Sequence, residues 1–397
     1  MLRTMTISCG LVVTTAIVFA PHPIAAEVDL SQQRDGRSER AVVLTSTDAP
    51  PEPENIESES AATDLSPELQ ALRDKMRECL RLYYHQPGNV AQLTPWELMH
   101  ASLAFGVDTQ AFASRSKVNA LGWLCWNGRA NGRRLLAAPG GSLRVQDGFG
   151  VQGHDGQFLS ILAQCKVRID SPIKVGGYDF TVADLVAYEK ATCRAGSELT
   201  FKLIGLMHYL DSKETWQSNG GETWSIPRLI KEEIEQPVVG AACGGTHRMM
   251  GFSYAVRKRD QRGEPFIGEW KRAKKYIEDY HEHTFKLQNS DGSFSTNWFA
   301  GRGDWGSASQ RLNTSGHTLE WLVCSLPREQ LRDPRVMRSV TYLTNLLQEN
   351  HGYDLEMGAL GHALHALILY DERVFGSVPG NRAETLHTDI ELAEVSG

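Results

Sequence analysis

Two hydrophobic patterns alternate along the chain from residue 65 to about residue 375. In the first, apolar residues recur every three or four positions among charged ones, which is typical of a helix with one face in solvent. In the second, nearly every position is apolar or small, as expected for a helix that is packed on all sides. The amphipathic runs cover residues 65–84, 181–194, 224–235, 265–287 and 333–348. The apolar runs begin near residues 94, 153, 197, 244, 316 and 357.

The alternation occurs about six times and predicts a particular architecture. Repetition of one helix pair is typical of proteins whose repeats stack to bury a continuous core. We therefore predict an all-α protein, an (α/α)6 toroid with six inner and six outer helices. Small residues at the starts of the inner helices would let their ends converge around one bowl. Residues 107–153 are the exception, because their irregular pattern and a Pro139-Gly-Gly turn signal predict an insertion with a hairpin and a weak or displaced second outer helix.

The first 26 residues have the pattern of a secretory signal peptide. Arg3 precedes an apolar run over residues 6–20, and small residues lead up to a cleavage site near Ala26. No later stretch has the roughly 18 uncharged apolar residues that a membrane span requires. The sequence therefore predicts a periplasmic or secreted protein without a transmembrane segment in the mature chain.

The segments that flank the predicted toroid domain, residues 65–375, are polar. Residues 27–64 are rich in Asp, Glu, Ser and Pro and have few bulky apolar side chains, so we predict a disordered acidic linker. Residues 376–397 are again polar and acidic, and we predict a loose C-terminal tail.

Charge is concentrated in the linker. The linker contains ten acidic and three basic residues, a balance of −7, which equals the net charge of the whole chain. Because Arg3 contributes +1, the residues from 65 onward carry only −1. Nothing in this balance predicts a nucleic-acid partner.

Six cysteines remain after the predicted cleavage, and most lie inside apolar runs. The sequence favours their burial as small hydrophobic side chains and leaves any pairing open. They are Cys79, Cys125, Cys165, Cys193, Cys243 and Cys324.

Two motifs carry a family resemblance that covers about three quarters of the chain. Gln288-x-x-Asp291-Gly292-Ser293-Phe294 is similar to the Gln-Trp turn motif of the terpenoid cyclase and protein prenyltransferase superfamily of α/α toroids, with Phe in place of Trp. Ser315-Gly-His317-Thr resembles the prenyltransferase segment in which a His-Thr pair opens an inner helix and the histidine binds zinc. The resemblance implies the toroid fold and a ligand-binding bowl.

The catalytic motifs of these families are absent from the sequence. There is no Asp-x-Asp-Asp run, which supplies the acid that starts squalene cyclisation, and no Asp-x-Cys pair, which supplies zinc ligands in prenyltransferases. The nearest match to the latter, Asp155-Gly-Gln157, has glutamine where a thiolate is needed. The resemblance therefore leaves the reaction unassigned.

Four histidines lie at or near predicted inner-helix starts, where they would face one bowl. They are His154, His247, His317 and His362. Histidine titrates near neutrality, so such a set suits proton transfer or metal binding. We predict His154, His247 and His317 as catalytic groups and His362 as a substrate-binding group. Asp155 is a candidate general base, although an aspartate at a helix N-terminus also favours the helix dipole. Each histidine has the alternative role of capping a helix or bonding a neighbouring loop.

A zinc site is a narrower hypothesis for the same residues. Cys243 and His247 are four positions apart and would share a helix face if the helix began at Cys243, with His317 as a third ligand. Because two glycines follow Cys243 and no carboxylate or second thiol is evident, the sequence leads us to predict no metal and no cofactor.

The loop before the fifth apolar run combines aromatic and charged residues. Trp298, Arg302, Asp304 and Trp305 would suit a saccharide, whose C–H faces stack on rings while its hydroxyls need planar donors and acceptors. We predict these four as substrate-binding residues. The alternative is that the tryptophans anchor a long loop to the domain.

Three classes of function stay open at this stage. The first is a terpenoid-cyclase-like or prenyltransferase-like enzyme, which the resemblance alone suggests. The second is a polysaccharide lyase or glycoside hydrolase, suggested by predicted export and by the aromatic loop. The third is a non-catalytic toroid that binds a glycan or a protein partner. In each case we predict a small-molecule or glycan ligand in the bowl.

Overall fold

The computed structural model describes residues 65–386 of the chain. The predicted signal peptide, the predicted linker up to residue 64 and residues 387–397 of the predicted tail lie outside this range. The described part is mostly helical, with nine short strands, and it confirms the prediction of a predominantly helical protein. None of its helices combines the length and the apolar character that crossing a bilayer requires.

Six apolar helices form the centre of the packing. They are α2 (Pro95–Phe105), α4 (Gln157–Gln164), α6 (Thr200–Tyr209), α8 (Thr246–Gln261), α10 (Ala308–Ser325) and α12 (Met357–Phe375). Each contacts two others of the set. Helix α2 contacts α12 and α4, α6 contacts α4 and α8, and α10 contacts α8 and α12. These are the six runs predicted as inner helices, and most positions in them are buried.

The remaining helices are α1 (Pro67–Tyr84), α3 (Ala120–Cys125), α5 (Val182–Ala191), α7 (Ile226–Ile234), α9 (Glu269–Leu287), α11 (Pro334–Glu349) and α13 (Arg382–Leu386). Helices α5, α7, α9 and α11 each contact at least one of the six apolar helices. Their buried residues recur at three- or four-residue spacing, as the amphipathic pattern predicts. Helix α1 begins where its sequence indicates, because the Ser66 hydroxyl accepts a hydrogen bond from the backbone N–H of Leu69 and Pro67 occupies the first turn.

Residues 107–153 form the predicted irregular insertion. It contains β2 (Gln110–Ala113), β3 (Ser116–Asn119), β4 (Leu136–Ala137) and β5 (Arg144–Val145), after a short β1 (Gly88–Asn89) that pairs with β2. Strands β4 and β5 are antiparallel and flank the Pro139-Gly-Gly turn, as predicted. Where the sequence predicts a weak or displaced outer helix, the structure has only α3, a helix of six residues. Two further antiparallel hairpins precede α5 and α7, formed by β6 (Pro172–Val175) with β7 (Tyr178–Thr181) and by β8 (Thr215–Gln217) with β9 (Thr223–Ser225).

The turn that begins at Gln288 joins three helices. The Gln288 side-chain amide donates to the backbone carbonyl of Arg335 at 2.9 Å and to the Ser339 hydroxyl at 2.7 Å, both on α11. Asp291 Oδ1 accepts from the backbone N–H of Ser293 at 2.9 Å, and the N–H of Phe294 donates to the Ser315 hydroxyl of α10 at 3.1 Å. The turn therefore fixes the end of α9 against α11 and α10.

The chain after Phe375 was predicted to be loose, but it is packed as far as Leu386. The Leu386 side chain is fully buried, and its carbonyl accepts a hydrogen bond from Arg81 Nε of α1 at 3.1 Å. The Arg382 guanidinium is also buried, and it donates to the Glu372 carboxylate and to the Ser377 hydroxyl. Polar composition misled this prediction, because one apolar side chain and one paired arginine are enough to hold a short helix on α1.

Candidate functional site

Five imidazole rings lie in contact among the six apolar helices. His247 is central, with ring centroids 5.3 Å from His154, 5.2 Å from His317 and 5.3 Å from His362. His317 and His362 are 3.8 Å apart, and His100 lies 5.4 Å from His362. The four histidines that the sequence singled out therefore lie together, and His100 joins them. We call these five residues the histidine cluster.

The helix starts differ from prediction at the positions that carry the cluster. Helix α4 begins at Gln157, so His154 and Asp155 lie in the preceding loop and not in the first turn. Helix α10 begins at Ala308 and not at Gly316, so His317 is well inside the helix. The Ser307 hydroxyl accepts from the N–H of Gln310, whose own side chain bonds back to the N–H of Ser307, and this capping box starts the helix two turns earlier. The role of helix cap is therefore excluded for His317.

Two histidines of the cluster are oriented by glutamates. His154 Nδ1 lies 2.7 Å from Glu198 Oε2, and His362 Nδ1 lies 2.8 Å from Glu320 Oε2. The other oxygen of Glu320 bonds Nδ1 of His365, one turn further along α12. An ionised carboxylate only accepts hydrogen bonds, so Nδ1 of each histidine carries the proton and Nε2 of the neutral ring keeps its lone pair. Burial opposes ionisation of Glu320, but the adjacent His362 and His365 lower the pKa of its carboxyl below the usual range.

Two further histidines are oriented by the backbone. His100 Nδ1 lies 2.8 Å from the carbonyl of Trp96, and His317 Nδ1 lies 2.8 Å from the carbonyl of Asn313, each four residues earlier in its own helix. Since a carbonyl only accepts, Nε2 is again the nitrogen with the free lone pair. His247 differs from both, because its two ring nitrogens are buried and neither has a hydrogen-bond partner in the described part of the protein.

Three rings of the cluster, those of His100, His247 and His317, are neutral at physiological pH. Burial lowers the pKa of His100 to about 3, and the neighbouring His362 adds to the effect. Burial, together with the surrounding imidazoles, holds the pKa of both His247 and His317 well below the usual range. These three rings therefore offer lone pairs and not positive charges.

Cys243 lies next to the cluster, on the 3-10 turn Ala242–Gly245 that precedes α8. The helix begins at Thr246, so Cys243 and His247 do not share a helix face as the zinc hypothesis required. The turn brings the Cys243 and His247 side chains together instead, because Cys243, Gly244 and Gly245 all have positive φ angles, of 47°, 63° and 87°. As a result, one ligand atom from each of Cys243, His247 and His317 lies within 4.8 Å of the other two.

A small cavity of about 20 Å³ lies beside the cluster. Its wall is polar where the histidines lie and apolar elsewhere. The polar lining residues are His100, Gln157, Gln164, His247, Glu320 and His362, and the apolar ones are Leu103, Ile161, Phe201, Ile204 and Met250. This volume is enough for about one or two water molecules, and it is far below the range of about 300–1,000 Å³ for small-molecule sites.

The predicted aromatic loop reaches the cluster through one residue. The Trp298 ring lies 5.8 Å from His317 and packs against Gly244, where an added Cβ would meet its ring at 2.1 Å. Arg302, Asp304 and Trp305 are exposed, and none of them lines the cavity. Asp155 is half-buried beside His154 and does not line the cavity either. The roles predicted for these residues stay predictions.

Sequence reasoning missed the residues that orient the histidines. Glu320, Glu198 and His100 lie within or beside the predicted apolar runs and were not among the candidate site residues. Glu320 carried a signal, because it is a charged residue within an otherwise apolar run and lies three positions after His317 on the same helix. Its partners His362 and His365 are likewise three positions apart.

No family model matches the chain, and no curated protein or solved structure matches it.

Proposed function

We propose that the described residues form an (α/α)6 toroid and that the histidine cluster is an acid–base catalytic site in its bowl. The contacts among α2, α4, α6, α8, α10 and α12 support the toroid, since each helix contacts two others and the series returns to its start. The sequence pattern at the N-terminus supports export, so we propose that the enzyme acts in the periplasm or outside the cell.

One observation carries the catalytic proposal. Two carboxylate-oriented histidines, His154 with Glu198 and His362 with Glu320, both contact His247 from different sides. A carboxylate that fixes Nδ1–H holds the imidazole in one tautomer and stabilises the imidazolium that forms when Nε2 takes a proton. A histidine with only a structural role needs a single hydrogen-bond acceptor. Two histidine–carboxylate dyads that converge on one place bury several polar groups, and they suit proton transfer at two positions on one substrate.

The two dyads differ in exposure, which suggests separate roles. The His154 side chain is 20% exposed and Glu198 34%, whereas His362 is 8% exposed and Glu320 4%. We infer that His362 acts as the base, because its imidazole is buried beside the Glu320 carboxylate and has little access to competing water. His154 then exchanges its proton with solvent and acts as the acid.

The size of the cavity argues against a long isoprenoid substrate. A squalene-sized or prenyl chain needs a large continuous apolar surface, whereas this cavity holds only about one or two water molecules, and three imidazoles, Glu320 and two glutamines lie in its lining. A sugar unit would enter only after the lining side chains move apart. Among the classes considered, we favour a polysaccharide lyase or hydrolase, because the convergent histidine–glutamate dyads suit acid–base chemistry.

The proposal is tested by exposing the purified protein to acidic and neutral polysaccharides and, separately, to isoprenoid diphosphates. We expect turnover of a saccharide. The variants His362→Gln and His154→Gln should each reduce kcat by about 10²-fold or more without loss of folded structure, since general acid–base groups contribute about 10²–10⁴-fold. The matched control is His283→Gln, since His283 lies on α9 and bonds the Phe299 carbonyl, away from the cluster.

Two results would overturn the proposal. Turnover that survives both substitutions would exclude the dyads from catalysis. Saturable binding of a saccharide without any product would assign the bowl to a non-catalytic glycan-binding protein.

A further inference from the structure

Three side chains of the types that bind transition metals converge beside the cavity. The ligand atoms of Cys243, His247 and His317 lie within 4.8 Å of one another. In a tetrahedral zinc site, Zn–S is about 2.3 Å and Zn–N about 2.0–2.1 Å, which places neighbouring nitrogen and sulfur ligand atoms roughly 3.3–3.6 Å apart. The three side chains therefore need to close by only about 1 Å, which rotamer adjustments can supply.

The state of His247 indicates a missing partner. The residue is 7% exposed, and both ring nitrogens are buried without a hydrogen bond. Among the described residues it is the only side chain with two such atoms. A buried polar atom without a partner costs about 1–3 kcal/mol, so native proteins almost always supply one. A metal ion would supply a partner for one of these two nitrogens.

The side chains of His317 and Cys243 are also oriented so that they could bind a metal ion. His317 uses Nδ1 to contact the Asn313 carbonyl, an arrangement common in metal-binding histidines because it fixes the ring and leaves Nε2 for the ion. Cys243 adopts a positive φ of 47°, which a residue with a side chain adopts only at a cost, and the turn places its thiol with the two imidazoles.

The electrostatic surroundings favour a cation. Burial is the main reason that the pKa of Cys243 is raised to about 12, and the carboxylates of Glu356, Glu198 and Glu320 add to the shift. His247 and His317 contribute no positive charge, because burial keeps them neutral. A divalent ion would balance these carboxylates and ionise the thiol that it binds.

We propose that Cys243, His247 and His317 bind one divalent transition-metal ion, with zinc the best match to one sulfur and two nitrogen ligands. Three protein ligands leave a fourth position for water or substrate, as in catalytic zinc sites. The site lies between the two histidine–glutamate dyads, since His247 contacts both His154 and His362. The proposal does not rest on the proposed acid–base function, because a metal at this place would also stabilise a non-catalytic bowl.

The test measures metal binding directly and needs no substrate. The full chain is stripped with chelator, titrated with Co²⁺ and Zn²⁺, and analysed by elemental mass spectrometry. We expect about one ion per chain and, with Co²⁺, a thiolate-to-metal charge-transfer band together with the intense d–d bands of a four-coordinate site.

Matched variants identify the ligands. Cys243→Ala should abolish the charge-transfer band, and both Cys243→Ala and His247→Gln should weaken Zn²⁺ binding by about 100-fold or more. The controls Cys324→Ala and His281→Gln replace a buried free cysteine and a histidine outside the cluster and should leave binding unchanged. Circular dichroism checks that each variant folds.

Two results would overturn the metal site. The first is wild-type protein that takes up no Co²⁺ at micromolar concentrations. The second is a charge-transfer band that persists in Cys243→Ala, which would assign the thiolate to another cysteine. Because both readouts are independent of turnover, failure of the metal site and failure of the acid–base proposal are distinguishable.

Discussion

Gly292 shows how a single residue fixes the turn between α9 and α10. Its φ is 96°, and a Cβ at this position would lie 2.5 Å from the backbone carbonyl oxygen of Arg338 on α11. The close approach lets Ser339 and Gln288 bond around the turn, since the Ser339 hydroxyl donates to the Gly292 carbonyl at 2.7 Å. Both the conformation and the space therefore require glycine.

We predict that Gly292→Ala lowers the free energy of unfolding by about 2–4 kcal/mol, as the sum of backbone strain and displacement of α11. Gly352→Ala is the control, because Gly352 has a similar positive φ of 89° but open space around it. It should cost only about 1–2 kcal/mol. Urea unfolding followed by circular dichroism measures both. Equal losses in the two variants would show that the contact with α11 contributes nothing.

Residues of the site were predictable to the extent that they lie near the ends of periodic runs. His154, His247 and His362 follow from that position, and the structure brings them together as expected. Glu320 and His100 were not predictable in this way, because both lie in the interior of apolar runs. The pairing of Glu320 with His362 depends on how α10 and α12 pack, and hydrophobic periodicity carries no information about that register.

At the level of helices, the pattern predicted position well and boundaries less well. Helices α2 and α12 begin where the sequence indicates, at the Thr94 cap and at Met357. The start of α10 was wrong by eight residues because residues 307–315 are largely polar. Thr314 and Ser315 are nevertheless buried, since Thr314 bonds the Gln310 carbonyl and Ser315 accepts from Phe294. A polar residue with a local partner does not mark a loop.

Packing of α2 against α12 depends on a glycine within α12. A Cβ at Gly361 would lie 2.5 Å from the backbone carbonyl oxygen of His100 on α2. Alanine normally stabilises a helix interior by about 1 kcal/mol relative to glycine. At this position we predict the opposite sign, because the added methyl group forces the two helices apart at a cost of about 1–3 kcal/mol.

The measurement is the unfolding free energy of Gly361→Ala, with Gly301→Ala as control. Gly301 has an ordinary φ and no atom within 4 Å of an added Cβ, so its substitution should change stability by less than about 0.5 kcal/mol. We also expect Gly361→Ala to weaken Zn²⁺ binding, since His362 on α12 is in ring contact with the proposed ligands His247 and His317. A gain in stability for Gly361→Ala would mean that the helices are not in close contact there.

For the whole molecule, the buried histidines link stability to pH. The histidine cluster is one group of them, and His208 and His281 lie outside it. His208 Nδ1 bonds the Tyr254 hydroxyl at 2.6 Å, and His281 Nε2 bonds the Ser325 hydroxyl at 2.6 Å. Burial lowers the pKa of His208 to about 3, with Lys258, Arg262 and Lys166 adding to the shift, and burial lowers the pKa of His281 to about 4.

The direction of the pH dependence follows from these values. In the unfolded chain a histidine has a pKa of 6.5 and becomes protonated below that pH. In the folded chain His208 and His281 stay neutral until about pH 3 or 4. Stability is therefore fully present above about pH 6.5 and falls as the pH decreases. In this pH window, each such histidine lowers the free energy of unfolding by up to about 1.4 kcal/mol for each pH unit of decrease.

We predict that His208→Gln flattens the decline between pH 7.5 and pH 5 by about 1–2 kcal/mol relative to the wild type, because the variant has one proton fewer to gain on unfolding. Urea unfolding at several pH values in this range measures the effect, with His283→Gln as control. The contributions of carboxylates and of any bound metal are common to all three proteins and cancel in the difference between their curves. If the wild-type and His208→Gln curves ran parallel, His208 would be protonated to the same extent in both states, and its burial beside Tyr254 would have no energetic consequence.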